Sequence, residues 1–332
     1  MEESRIQRSQ FENKPKNHKK RNIILSVIAV LILILLGFGA YKFASIKGAV
    51  DSAYKDSGIT KERNTSKLLS QKKPISILLM GTDTGELGRD YKGRTDSMMV
   101  ITINPKTKKT LITSIPRDTA VNIPGFADEG VNKINAAYAY GSAKTSIETV
   151  QKMLNIPIDF YAVLNMHGLE QIINQIGGVN IKPLLTFDYE GYHFTKGVTT
   201  HMNGKKALAY TRMRYDDPEN DYGRQKRQRQ VLEAVAKDSG SVEALLNPGF
   251  INSLSKSTQT DMTFGDLTSI TKGYLGARDN MDNSYIQGQT GKEINDSVMQ
   301  VTPESELQNT TNQIRNNLGL PEAETGDIAV NN

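Results

Sequence analysis

Five short stretches of this chain place arginine and aspartate where a phosphate-and-metal site would need them: Gly81-Thr82-Asp83-Thr84, Gly93-Arg94-Thr95-Asp96-Ser97, Pro116-Arg117-Asp118, Arg212-Met213-Arg214 and Arg224-Gln225-Lys226-Arg227-Gln228. Each ends an apolar strand-like run or lies on a helix-like run. Arginine is a strong phosphate donor, because its planar fork offers paired hydrogen bonds and never loses its charge. Aspartate oxygens are hard ligands suited to magnesium. A fold that gathers these stretches would hold a pyrophosphate and a metal ion.

Spacing sharpens some of these stretches more than others. Arg94 and Asp96 are two residues apart, so an extended backbone aims both to one side; a structural ion pair explains them equally well. The same argument would aim Arg212 and Arg214 at one spot, where their repulsion calls for an anion between them. Arg224, Arg227 and Gln228 share a helix face at i, i+3 and i+4, which is also what a solvated basic face shows. Asp83 follows the end of a strand, a usual place for ligands in open α/β sheets and also for a simple turn. Gly88 to Thr95 approximates a nucleotide-binding loop, but the lysine is missing and a strand follows where such loops open a helix. The four histidines show no ligand spacing, the absence of cysteine excludes thiol chemistry, and no Gly-x-Ser-x-Gly elbow is present.

These residues need elements to position them. Pro74–Met80, Ser97–Ile103 and Thr110–Ile115 read as strands, the last two joined by a turn at Asn104-Pro105-Lys106-Thr107 into a hairpin. Asn135–Tyr140 and Ser146–Leu154 read as helices around Gly141, Asp159–Leu164 as a strand, and Leu169–Ile176 as a helix stopped by Gly177-Gly178. A strand from Val179, a short helix at Asn203–Tyr210 and a longer one at Asp221–Lys237 follow. The expected product is an α/β fold, a mixed central β-sheet sandwiched by helices.

The flanks carry different information. Ile23 to Tyr41 contains no charge, long enough to cross the ~30 Å hydrocarbon layer as a helix. The basic residues before it keep residues 1–22 in the cytoplasm, and no small-residue cleavage site follows it. We read residues 23–45 as an uncleaved transmembrane anchor of a single-pass type II protein. Residues 46–73 are then an extracellular stalk, 74–240 the principal domain and 241–277 a C-terminal extension with one weakly amphipathic segment near Phe264–Tyr274. Residues 278–332, rich in asparagine, glutamine, threonine and serine, are expected to be a disordered tail. The formal charge of +5 is concentrated between Lys205 and Arg229, implying an acidic partner.

In order, Leu78-Leu79-Met80-Gly81-Thr82-Asp83, Gly93 to Val100, Ser114-Ile115-Pro116-Arg117-Asp118-Thr119, Lys133 to Tyr138, Gly177-Gly178-Val179, Ala207 to Arg214 and Asp221 to Gln228 resemble the LytR-CpsA-Psr family of cell-wall enzymes. The match runs from about Ile75 to Asp238. The resemblance implies a phosphotransferase at the Gram-positive cell membrane. Such an enzyme moves an anionic glycopolymer, teichoic acid or capsular-type polysaccharide, from a polyprenyl-pyrophosphate carrier to the muramic acid hydroxyl of peptidoglycan and releases polyprenyl phosphate. By motif, Asp83 and Asp96 would hold magnesium or another divalent cation. Arg94, Arg117, Arg212, Arg214, Arg224 and Gln228, with Arg227 beside them, would contact pyrophosphate. Asp96, Arg117 and Asp118 would be catalytic, with the base undecided between Asp96 and Asp118. Tyr161–Val179 could line a pocket for the prenyl tail. A pyrophosphatase on the same lipid, with water as acceptor, would use the same residues. A membrane-bound regulator binding nucleic acid through Arg224–Arg229 is disfavoured by topology, because the anchor places the domain across the bilayer from the chromosome.

Overall fold

The structure is a computed structural model and describes residues 44–82, 93–238 and 255–330. The unit beginning at Ile46 is the one described below. The predicted apolar span and Asp83 lie outside the described residues. Among those described, no helix is long and apolar enough to cross a membrane.

A six-stranded mixed sheet forms the centre, built from β1 (Ile75–Thr82), β2 (Thr95–Asn104), β3 (Lys109–Ile115), β6 (Phe160–Asn165), β11 (Thr258–Thr260) and β12 (Met281–Tyr285) in the order β11-β6-β1-β2-β3-β12. β2 runs antiparallel to β1 and β3, as the hairpin reading expects, and β6 and β12 join parallel to β1 and β3. One sheet face is fully buried: Leu78, Met80, Met98, Val100, Tyr161 and Val163 pack under α2 (Ala136–Leu154) and α7 (Glu304–Asn317). α2 is one helix broken at Gly141 and Ser142, where the backbone leaves helical geometry.

The other face is covered less completely. α1 (Thr65–Ser70) and α6 (Phe264–Gly273) close its far end around Leu69, Phe160 and Met262. Leu79, Ile101 and Leu164, which register places on this face, remain half-buried. A second core lies among α3 (Met166–Gln175), α4 (Gly204–Arg212), α5 (Asn220–Asp238) and two small ladders, β7 (Val179–Ile181) with β10 (Thr200–Met202) and β8 (Phe187–Tyr189) with β9 (Tyr192–Phe194). Further two-stranded ladders pair β4 (Ala120–Asn122) with β5 (Val131–Lys133) and β13 (Gln289–Ile294) with β14 (Ser297–Val301).

Two expectations about the flanks need correction. Described residues of the 46–73 segment are tied to the domain rather than standing off it. Arg63 and Lys61 pair with the buried carboxylates of Asp159 and Asp261, and Ala49, Val50 and Ala53 are buried. The segment from 278 onward is folded, not disordered. β12 is a full member of the sheet, and α7 buries Leu307 and Ile314 completely in the main core. Each such side chain contributes about 1.5–3 kcal/mol. Polar side chains also earn burial there by hydrogen bonding: Asn317 donates to Thr102 O at 3.0 Å and Oγ1 at 2.7 Å. A composition average hides both effects, because few apolar residues suffice when they share one helix face.

Candidate functional site

Strand direction brings the charged stretches together. The last residues of β1, β3, β6 and β12 and the first of β2 meet at one end of the sheet, where Gly81 faces Ser97, Thr82 faces Asn165, Met98 faces Ile115 and Ser114 faces Tyr285. The β1–β2 register slips there, pairing Gly81 with Ser97 but Thr82 with Thr95. Asp96 is therefore the extra residue of a β-bulge, a device that re-aims a side chain at a sheet end. Arg94 precedes β2 and is exposed. The extended alternation that would set Arg94 and Asp96 on one side is interrupted by this bulge.

Arg117 and Asp118 sit just past β3 on a loop fixed by its own backbone. Thr119 Oγ1 donates to Pro116 O at 2.7 Å, Ile134 N to Thr119 O at 2.8 Å and Gln300 N to Asp118 O at 2.8 Å. Arg117 Nη1 donates to Asp96 Oδ1, and its Nε lies 3.8 Å from Asp118 Oδ2. Lys133 Nζ holds Asp118 Oδ1 at 2.9 Å. Burial pulls the Arg117 pKa down, but Asp96, Asp118 and Asp221 outweigh it and hold it above the ordinary value.

α5 crosses this sheet end. Arg229 Nη1 donates to Ser114 Oγ on β3 at 2.6 Å, and Arg224 Nη2 donates to Asp96 O at 3.1 Å while pairing with Asp221 at 2.7 Å. Arg224 is shifted the opposite way from Arg117: burial lowers its pKa, Asp221 opposes, and Arg117 and Arg214 add repulsion. The site thus concentrates guanidiniums that repel one another. It also leaves Arg117 Nε, Arg224 Nε, Gln225 Oε1 and Gln228 Oε1 buried without hydrogen-bond partners. Buried polar atoms are nearly always paired, so orphans gathered at one place mark a ligand position.

Among the expected pyrophosphate contacts, Arg227 has a different set of partners. Arg227 faces the second core, where its guanidinium bonds Asp217, the carbonyls of Met213 and Tyr210, and lies over the Phe187 ring. It is a structural cation, held by partners in that core although it lies only one helical turn from Arg224. α4 continues through Arg212 and the backbone becomes extended at Met213, so the two arginines do not share one extended strand. Arg212 approaches Glu190 at 3.8 Å, and Arg214 approaches Asp221 at 4.0 Å. Arg214 joins the site; Arg212 stands beside the β8–β9 hairpin. Sequence reasoning missed Asp221 and Lys133 as site residues. The Asp221–Arg224 spacing of i, i+3 was the available signal for the first.

The donor set suits a divalent cation shared with phosphate. Among the described residues no three or more acidic or histidine side chains form a metal cage. Magnesium, however, is commonly held by one or two carboxylates plus substrate phosphate oxygens. Asp96 offers partly exposed hard oxygens at the site. A groove of about 610 Å³ opens beside it, bounded by Asp118 and Arg214. A larger one, about 900 Å³, lies at the far end of the sheet near Lys72 and Pro105, away from this chemistry.

Known proteins resemble this chain in sequence and fold. The LytR_cpsA_psr family profile matches residues 40–316. An Enterococcus faecalis protein named polyisoprenyl-teichoic acid–peptidoglycan teichoic acid transferase TagU is 37% identical over 304 residues, covering 91% of this chain and 98% of that protein. A solved Streptococcus agalactiae structure superposes with TM-score 0.72 at 32% identity, covering 82% of this chain and 96% of that one. The structure of TagT bound to LIIa-WTA superposes with TM-score 0.64 at 26% identity, covering 79% of this chain and 95% of that one. This chain belongs to the LytR_cpsA_psr family.

Proposed function

We propose that the protein is a membrane-anchored phosphotransferase that moves teichoic acid, or a similar anionic glycopolymer, from a polyprenyl-pyrophosphate carrier to peptidoglycan. The activity for which the relatives are named and the carrier's chemistry support this reading. The observation that carries it is the pair of buried, unpartnered guanidinium N–H donors, Arg117 Nε and Arg224 Nε. A pyrophosphate diester bears two negative charges and offers the acceptors those donors lack.

In the proposed step, the acceptor hydroxyl oxygen bonds to the phosphorus that carries the glycopolymer. The bond from that phosphorus to the bridging oxygen breaks, and its electron pair leaves with polyprenyl phosphate. Arg117 and Arg224 hold the pyrophosphate and stabilise the charge that develops on the leaving phosphate. Such electrostatic help costs little reorganisation, since both side chains are already fixed by Asp96 and Asp221. Asp118 lines the groove and takes the hydroxyl proton. Asp96, with Asp83, would hold a magnesium ion, which would neutralise phosphate charge. The pyrophosphate bond itself drives transfer, because no nucleotide supply exists outside the cell.

The prenyl chain has a matching surface. Leu79, Ile101 and Leu164 form a half-buried apolar strip leading from the site along the less covered sheet face. Tyr161, expected at such a pocket, is instead fully buried in the opposite core. Residues 23–45 would anchor the chain in the membrane.

Purified full-length protein, given lipid-linked donor and peptidoglycan fragments, is expected to yield a covalent polymer–peptidoglycan adduct. Phosphate release without an adduct would replace transfer by hydrolysis.

A further inference from the structure

The groove beside Asp118 has two walls of different origin. Glu219 and Tyr222, at the start of α5, form one; Tyr285, Gln287, Val298 and Gln300, from the C-terminal segment, form the other. Tyr222 fastens the walls together, its hydroxyl donating to Gly288 O at 3.1 Å and accepting from Gly288 N at 2.8 Å. The Tyr222 and Tyr285 rings lie 5.5 Å apart. Gln300 is only 3% exposed, and its Nε2 is a buried donor with no partner.

Strand order decides what this groove is for. The apolar strip runs over β6, β1 and β2, the Arg117–Arg224 cluster stands at the β2–β3 end, and the groove lies beyond it on the β3–β12 side. Phosphoryl transfer needs attacking and leaving oxygens roughly in line. With the prenyl phosphate leaving over the strip, the nucleophile must arrive from the groove.

We propose that this groove is the acceptor-glycan subsite. This rests on the transfer reading above. It takes the sugar bearing the attacking hydroxyl, with the Gln300 amide donating to a sugar oxygen and the tyrosine pair meeting an apolar ring face. Its volume, about 610 Å³, suits a disaccharide. Its three carboxylates, Asp118, Glu219 and Asp221, outnumber Arg214 and Lys226, which favours a neutral sugar ring over the polyanionic donor polymer.

Two variants of the full chain test it. The sequence contains no tryptophan, so Val298→Trp, at a position 59% exposed on the groove rim, installs a single indole reporter. Its emission should change saturably with a muramic-acid-containing disaccharide and not with geranyl pyrophosphate. Gln300→Leu keeps the shape and removes the donor. It should raise the acceptor KM about tenfold, the worth of one hydrogen bond, while kcat and the geranyl pyrophosphate Kd stay within about twofold, a split that a merely structural residue would not produce. Wild-type transfer combined with an unchanged acceptor KM in Gln300→Leu overturns the subsite and leaves the transfer reading standing. A saturable indole response without any adduct from the wild-type protein does the reverse.

Discussion

Arg224 and Arg227 sit three residues apart on one helix, and both are almost wholly buried, yet they do opposite work. Arg227 is satisfied inside the second core by Asp217, two carbonyls and an aromatic face. Arg224 keeps an unpartnered Nε, has its pKa lowered by burial and faces the like charges of Arg117 and Arg214. The lesson is that burial of a charge does not identify function; the state of its hydrogen bonds does. A saturated buried arginine holds a fold, and an unsaturated one waits for an anion.

The comparison can be broken most forcefully on the structural side. Arg227→Ala strands Asp217 in the second core and should cost about 3–5 kcal/mol, read as a drop in denaturant midpoint. Next, Arg224→Ala and Arg117→Ala should each lower transfer by roughly 100–1,000-fold. For Arg224→Ala the midpoint should stay at or above wild type, because an incompletely paired buried charge has been removed. Gly223→Ala probes the boundary between the two roles. Its Cβ would lie 2.0 Å from Asp217 Oδ2, so the carboxylate serving Arg227 must move. The expected loss is about 1–3 kcal/mol, with transfer per folded molecule retained. The smallest effect is alkaline. Burial pushes the Tyr210 phenol, beside Arg227, up from 10.0 to about 12. A raised folded-state pKa means that its contribution is intact below pH 10 and is lost as pH rises through about 12. Tyr210→Phe should abolish that component of the stability–pH curve in this window.

Much of the site is visible in the sequence because strand ends announce themselves. Apolar runs that stop at Gly81 and Pro116 place Thr82, Arg117 and Asp118 at one sheet edge once the strands are paired. The hairpin and the broken helix at Gly141 are legible for the same reason, since turn residues interrupt clear periodicity. Periodicity cannot say which side of α5 meets the sheet, so Arg224 and Arg227 look alike. Nor does it reveal the bulge that re-aims Asp96, or that α4 runs through Arg212 before the backbone becomes extended. The C-terminal segment escapes because its burial relies on Asn317 and Thr311, polar residues whose partners Thr102 and Leu154 are distant in sequence.

Titration of geranyl pyrophosphate, a short soluble mimic of the carrier, into wild type, Arg224→Ala and Arg227→Met separates the two arginines most directly. The account predicts that Arg224→Ala weakens binding by about 100-fold or more, in line with loss of charge-assisted contacts worth about 1.5–3 kcal/mol each, while folded Arg227→Met binds as wild type does. Equal affinity in Arg224→Ala and wild type would contradict it.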